Sequence, residues 1–271
     1  MTTPDHLNWL VDTGERHATA CGREIEIWEI NPQEDAQIIS LWARHLRQHY
    51  IADADLPFMA AGTGLAHPEY LRTILFPDAK VAPGPSLRSG DFGEILVADF
   101  IEYFRGFWCP RELRYQDRWN RNDSTKGCDV IGFKFAKQND PGAADELFIF
   151  ESKSGMSATK TNRLQDAIND SIRDRLREGM SLNAIKRRFF DRGEMDDARK
   201  VERFQNEADR PFHRVNGAAA ILDEAVFAQT ELASTDGTAH YNQDDLRLLV
   251  IRGPSLMKLV HALYERAADE A

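Results

Sequence analysis

The chain has 271 residues, 42% hydrophobic and 10% aromatic, which is enough for one large domain or a domain with an appendage. Charged residues make up 29% and the net charge is −10, which excludes a protein that holds nucleic acid by indiscriminate basic charge. No apolar run approaches the roughly 18 residues that span a bilayer, and residues 1–16 lack the basic-then-apolar pattern of a secretory signal. Three cysteines, Cys21, Cys109 and Cys128, without CxxC spacing, argue against a disulfide framework or zinc knuckle and for a reducing, cytoplasmic setting.

Taken in chain order, residues 23–30 alternate polar and apolar as a half-buried strand does, and Asn31-Pro32 breaks them. Residues 33–50 carry Ile38, Ile39, Leu41, Trp42, Leu46 and Tyr50 at helical spacing, and a short helix is predicted over 68–75. Residues 77–91 hold three prolines and two glycines. They read as a loop and as the boundary between an N-terminal accessory lobe, 1–80, and a main domain, 81–271. Residues 92–107 place Ile95, Leu96, Phe100, Ile101 and Phe104 on one helical face, and Cys109-Pro110 ends that helix. Three strands follow, over 111–119, 128–136 and 146–154, joined by polar turns that predict an antiparallel meander. Residues 159–177 read as a helix with Leu164, Ala167, Ile168, Ile172 and Leu176 inward. Charged helices are predicted through 181–228, an insertion before the last strand. An apolar strand at 246–252 joins the same sheet, and 255–268 closes the chain as an amphipathic helix.

Charge is unevenly distributed. From Lys153 to Arg214 there are 15 Lys and Arg against 11 Asp and Glu, a net +4 that leaves −14 on the rest of the chain. Contact with nucleic acid is therefore expected from this segment, unless its charges only coat solvated helix faces.

Four residues carry the candidate chemistry: Glu94, Asp129, Glu151 and Lys153. Residues i and i+2 of a strand share a face, so Glu151 and Lys153 project side by side at the end of the apolar run Phe148-Ile149-Phe150. Charged groups rarely end a buried strand without a reason. Asp129 opens the preceding strand, which in a tight hairpin lies beside the end of the next. Two carboxylates that close repel unless a cation separates them. Mg²⁺ (or Mn²⁺) takes hard oxygen ligands, often only one or two carboxylates, and leaves positions for water and phosphate. The lysine supplies positive charge near an attacking water. Glu94, at the start of its helical run, offers a third carboxylate to a second metal or an outer shell. A lone Glu-x-Lys is common on solvent-facing strands; the ordered combination is what carries the argument.

The stretches Gly93-Glu94, Lys126-Gly127-Cys128-Asp129-Val130-Ile131-Gly132-Phe133 and Phe150-Glu151-Ser152-Lys153-Ser154 resemble the motifs of the PD-(D/E)XK nuclease superfamily. The resemblance covers roughly residues 90–175 by motif and the remainder by element order. Within that superfamily the chain is similar to the nuclease subunits of Hachiman-type anti-phage systems, in which a nuclease works with a separate helicase. The resemblance implies an α/β fold, a restriction-endonuclease-like mixed sheet flanked by helices, and a divalent-metal deoxyribonuclease whose substrate is DNA. It implies Asp129 and Glu151 as metal ligands, the Ser152 carbonyl as a further one, Lys153 beside the attacking water and Glu94 as the helical acid. Cys128 stands where the motif name has proline. Some branches carry a helical Gln-x-x-x-Tyr after the lysine; Gln165 is present here as a candidate contact to the DNA backbone, but Asn169 occupies the tyrosine position.

Other features weigh less. His45 and His49 sit four apart on a helix, without the glutamate of a zinc protease between them and with no third ligand apparent. Cys109 lacks any thiol-enzyme signature. His213 reads as a helix-start residue in a basic stretch. Lys126, beside Gly127, is a candidate phosphate contact or an ordinary turn lysine. There is no Gly-x-x-x-x-Gly-Lys-Ser/Thr, so ATP-driven steps would belong to a partner. The alternative from another class is a non-catalytic nuclease-fold module that binds a partner or regulates a nucleic-acid-processing complex.

Overall fold

Six strands hydrogen-bond into one mixed sheet in the computed structural model, which describes residues 2–116, 118–137, 140–157 and 161–271. The strands are β1 (Leu10–Ala18), β2 (Glu24–Ile30), β3 (Val130–Lys134), β4 (Glu146–Gly155), β5 (His213–Asp223) and β6 (Leu246–Gly253). Their order is β1-β2-β6-β5-β4-β3. The four inner strands run parallel, and an antiparallel hairpin closes each edge. The helices are α1 (Ala36–Gln48), α2 (Leu56–Ala60), α3 (His67–Tyr70), α4 (Gly84–Arg105), α5 (Arg163–Ser171), α6 (Asp174–Asp191), α7 (Met195–Glu202), α8 (Gln229–Ala233) and α9 (Leu256–Asp269). The predicted α/β class, a mixed sheet flanked by helices, is the fold observed. Among the described residues no helix is long and apolar enough to cross a membrane.

The period of two along each strand sorts the core into layers. Phe148, Phe150, Val215, Ala219, Ile221, Leu249 and Ile251 face a layer containing α1, α4 and α9. Ala218, Ala220, Leu222, Leu248 and Val250 face α5 and α8. Leu147 and Ile149, on that same second face, join Ile131 and Phe133 in packing against Leu182, Ile185 and Phe189 of α6 and Val201 of α7.

Several sequence expectations are corrected. Residues 1–80 do not stand apart as an accessory lobe: Ile25, Ile27 and Glu29 of β2 pair with Leu248, Val250 and Arg252 of β6, and Leu7, Trp42 and Phe76 share one core with Phe92 of α4. The Pro-rich stretch is not a loop throughout, because α4 begins at Gly84 with Pro85 in its first turn, where a missing N–H costs nothing. α4 ends at Gly106, which caps it in the left-handed region, ahead of the expected Cys109-Pro110. Residues 111–116 form turns instead of a strand. Arg111, Arg114 and Arg118, three and four residues apart, run along α4 and pair with Asp99 and Glu102, Glu94, and Asp91 respectively.

The largest miss is β5, expected within the helical stretch 181–228. Its Ala218-Ala219-Ala220 run favours helix by propensity, yet it is buried on both faces at the centre of a parallel sheet, where small side chains let helices approach. His213 is therefore a strand residue, bonded to Asp245. The expected 159–177 helix is split at Ile172-Arg173 into α5 and α6, and its first residues, 159 and 160, lie outside the described residues.

Candidate active site

The hairpin of β3 and β4 is asymmetric. Its register runs Val130↔Phe150 to Lys134↔Glu146, so Glu151 to Gly155 extend past the end of β3. On that open edge the Asp129 carboxylate replaces a strand: its Oδ2 accepts the Ser152 N–H at 3.0 Å. Lys153 Nζ donates to Glu151 Oε1 at 2.7 Å, which places both side chains on one face, as period two requires. The same ammonium lies 2.8 Å from Asp170 Oδ2 at the end of α5.

The opposite face belongs to α4. Ser154 Oγ donates to the Ser89 carbonyl at 2.7 Å, and a Cβ on Gly93 would sit 2.5 Å from Ser154 Oγ, so only glycine lets this helix close on β4. Glu94 thus comes from the far side of the sheet and meets Asp129 around its edge. Arg114 stands between them, with Nε 2.9 Å from Glu94 Oε2 and the guanidinium 4.0 Å from Asp129 Oδ1. Tyr115 donates its hydroxyl to the same Glu94 oxygen at 3.1 Å.

Burial of anionic oxygens dominates the electrostatics. Burial pushes the Glu94 carboxyl up to about 8, with Asp129 and Asp91 adding to the rise and Arg114 opposing it. Asp129 is pushed up to about 7 by burial and by Glu151. Glu151 rises to about 7 by burial, with Lys153 opposing and Asp174 reinforcing. For Lys153, burial acts to lower the ammonium, but Glu151 and Asp170 outweigh it and the group is raised. Glu151 Oε2 is buried and has no hydrogen-bond partner among the described residues.

Lys126 is exposed and lines a cavity that also touches Glu94, Asp129, Arg111, Arg114 and Arg188. Gln165 is not brought to the site: both ends of its amide bond the main chain of Asp236, at 2.7 and 3.1 Å. Three polar residues of the site escape the sequence argument. Arg114 sat in an expected strand, and Asp170 and Asp174 sat in an expected continuous helix, where only the break between α5 and α6 turns them toward Lys153 and Glu151.

A tighter cluster lies elsewhere. Ligand atoms of His6, His45 and Asp99 fall within 4.8 Å of one another, so His45 does acquire the neighbours its sequence context did not suggest. Hydrogen bonding accounts for it. Asp99 is fully buried and already engages His6, His45 and Arg111. A guanidinium on the shared carboxylate leaves little reason for a second cation.

The chain belongs to the HamA family, a component of the Hachiman anti-phage system, whose family model matches residues 5–267, and that membership carries a role in anti-phage defence. No curated protein and no solved structure matches it.

Proposed function

We propose that this chain is a divalent-metal-dependent deoxyribonuclease, the effector subunit of a helicase-coupled anti-phage system. The observation that carries the reading is the end of β4. Asp129 and Glu151 converge there beside the Lys153 ammonium, and Glu151 Oε2 is buried without a hydrogen-bond partner among the described residues. An anionic oxygen left that way is costly unless a cation completes it. Hard carboxylate oxygens suit Mg²⁺ or Mn²⁺, which Asp129, Glu151 and the Ser152 carbonyl would hold. Such an ion would polarise a phosphate oxygen and acidify a water.

The chain's own groups do the rest. Lys153, held between Glu151 and Asp170, stays protonated at neutral pH, so it stabilises charge developing on phosphorus and does not accept the water's proton. Arg114 fixes Glu94 and keeps positive charge beside Asp129. Lys126, exposed on the cavity wall, would meet a backbone phosphate. The net charge of −10 disfavours capture of DNA by the isolated chain, which fits delivery by a separate helicase subunit.

Plasmid nicking in Mg²⁺ and Mn²⁺ tests this, comparing the wild type with Glu151→Ala and Lys153→Ala. Nicking by the wild type alone is the expected result. Equal nicking by all three would refute the site, and no nicking even with the helicase partner present would refute the nuclease.

A further inference from the structure

α6 enters the site with a carboxylate that the fold leaves unused. Asp174 is the first residue of that helix, fully buried, and among the described residues neither of its oxygens has a hydrogen-bond partner. It does not cap the helix, which has no side-chain cap bond. Its nearest cation is Arg177, 3.8 Å from Oδ1, too far for a hydrogen bond and itself about a third exposed. Burial and then the like charge of Asp129 push Asp174 up to about 7, against the Cys128 thiol, Arg177 and Lys153, and Asp174 in turn raises Glu151.

The rest of α6 holds it there. Ser181, two turns along, accepts the Cys128 N–H at 2.9 Å. Gly127, at φ +99°, leaves room for that contact, since a Cβ there would lie 2.5 Å from Ser181 Oγ. The helix is thereby latched to the residue preceding Asp129. Asp174 and Glu151 Oε2 are thus two buried carboxylate positions that interact as like charges and, among the described residues, lack a hydrogen-bond partner.

We infer that Asp174 is a third carboxylate of the cation centre, a positioning residue that acts through the ion's hydration water. The inference rests on the metal-dependent reading above. Action through water follows from spacing. Among the described residues the ligand atoms of Asp129, Glu151 and Asp174 are not all within 4.8 Å of one another, and Mg²⁺ characteristically keeps several waters between itself and outer carboxylates. Asp174 approaches from the same sheet face as Lys153, so it orients water on the side where positive charge is already fixed.

The test is Mn²⁺ binding to the full chain, by calorimetric titration and by paramagnetic resonance of free Mn²⁺, alongside melting in EDTA. The variants are Asp174→Asn, which conserves shape, and Glu151→Gln. Asp174→Asn should weaken Mn²⁺ binding by roughly 10–100-fold, the usual loss for an outer-shell partner, while melting in EDTA at the same temperature as wild type or higher. Wild-type affinity in Asp174→Asn overturns the inference. So does a lower melting temperature in EDTA, which would make the residue structural. If the wild type binds no Mn²⁺, or Glu151→Gln binds it as the wild type does, the metal-dependent reading itself falls.

Discussion

Replacing Glu151 by glutamine should stabilise the metal-free protein, and do so only where the carboxylate is ionised. The side chain is 3% exposed, and the structure raises its carboxyl from the usual 4.5 to about 7. The native state therefore holds this proton more tightly than the unfolded chain. Its contribution to stability is complete below about pH 4.5 and is lost as pH rises through about 7. Above that, the ionised carboxylate weighs against folding by about 3 kcal/mol, at 1.36 kcal/mol for each pH interval between the two values. Glutamine removes the dependence. Asp129 and Asp174 are pushed the same way, so the three titrate as a coupled set and loss of one charge eases the others. At roughly 2–4 °C per kcal/mol for a chain of this size, the variant should gain on the order of 6–12 °C over the wild type between pH 5 and pH 8. The assay is scanning calorimetry in EDTA at both values, read as the difference between the two proteins, which cancels titration of the histidines. A gap of the same size at both pH values would refute the reasoning, as would a wild type that gains on the variant toward pH 8. Excess Mn²⁺ at pH 8 should reverse the order, because the cation stabilises only the protein that retains its ligand.

Four further outcomes follow from particular contacts. Gly127→Ala forces a side chain into φ +99° and against Ser181, stripping the Cys128 N–H of its acceptor; a loss of about 2–4 kcal/mol in denaturant unfolding is expected, with nicking reduced about 10-fold or more. Lys153→Ala should abolish nicking while retaining Mn²⁺ affinity by calorimetry, since it removes charge that opposes the cation. Asp145→Ala removes the carboxylate that holds Arg203 through two hydrogen bonds to its guanidinium, and should cost about 2–3 kcal/mol by chemical denaturation, with nicking per folded molecule unchanged. Gln165→Ala should leave nicking rates as they are, because its amide serves the Asp236 main chain; a fall greater than about 10-fold would put the side chain back at the DNA.

The sequence by itself determined the elements whose period and burial agree: β2, β4, β6, α1 and α9 stand close to where alternation or helical spacing puts them. It also determined that Glu151 and Lys153 share a face, since that follows from strand geometry alone, and that Asp129 lies near them, since the start of one hairpin strand lies beside the end of the next. It failed where a local signal had two causes. The charged positions of 111–119 reflected arginines pairing with α4, and the alanines of β5 reflected crowding on both faces of a central strand, not helix propensity. Only the tertiary structure decided that residues 10–30 complete the sheet beside β6, because parallel pairing across more than 200 residues leaves no mark in either strand. It alone brought Arg114, Asp170 and Asp174 to the carboxylates, and it set Glu94 behind Arg114 and Gln165 against Asp236. Spacing along a chain fixes which side chains share one element's face; which faces then meet is fixed by packing between elements, and that is where the charge balance of this site is set.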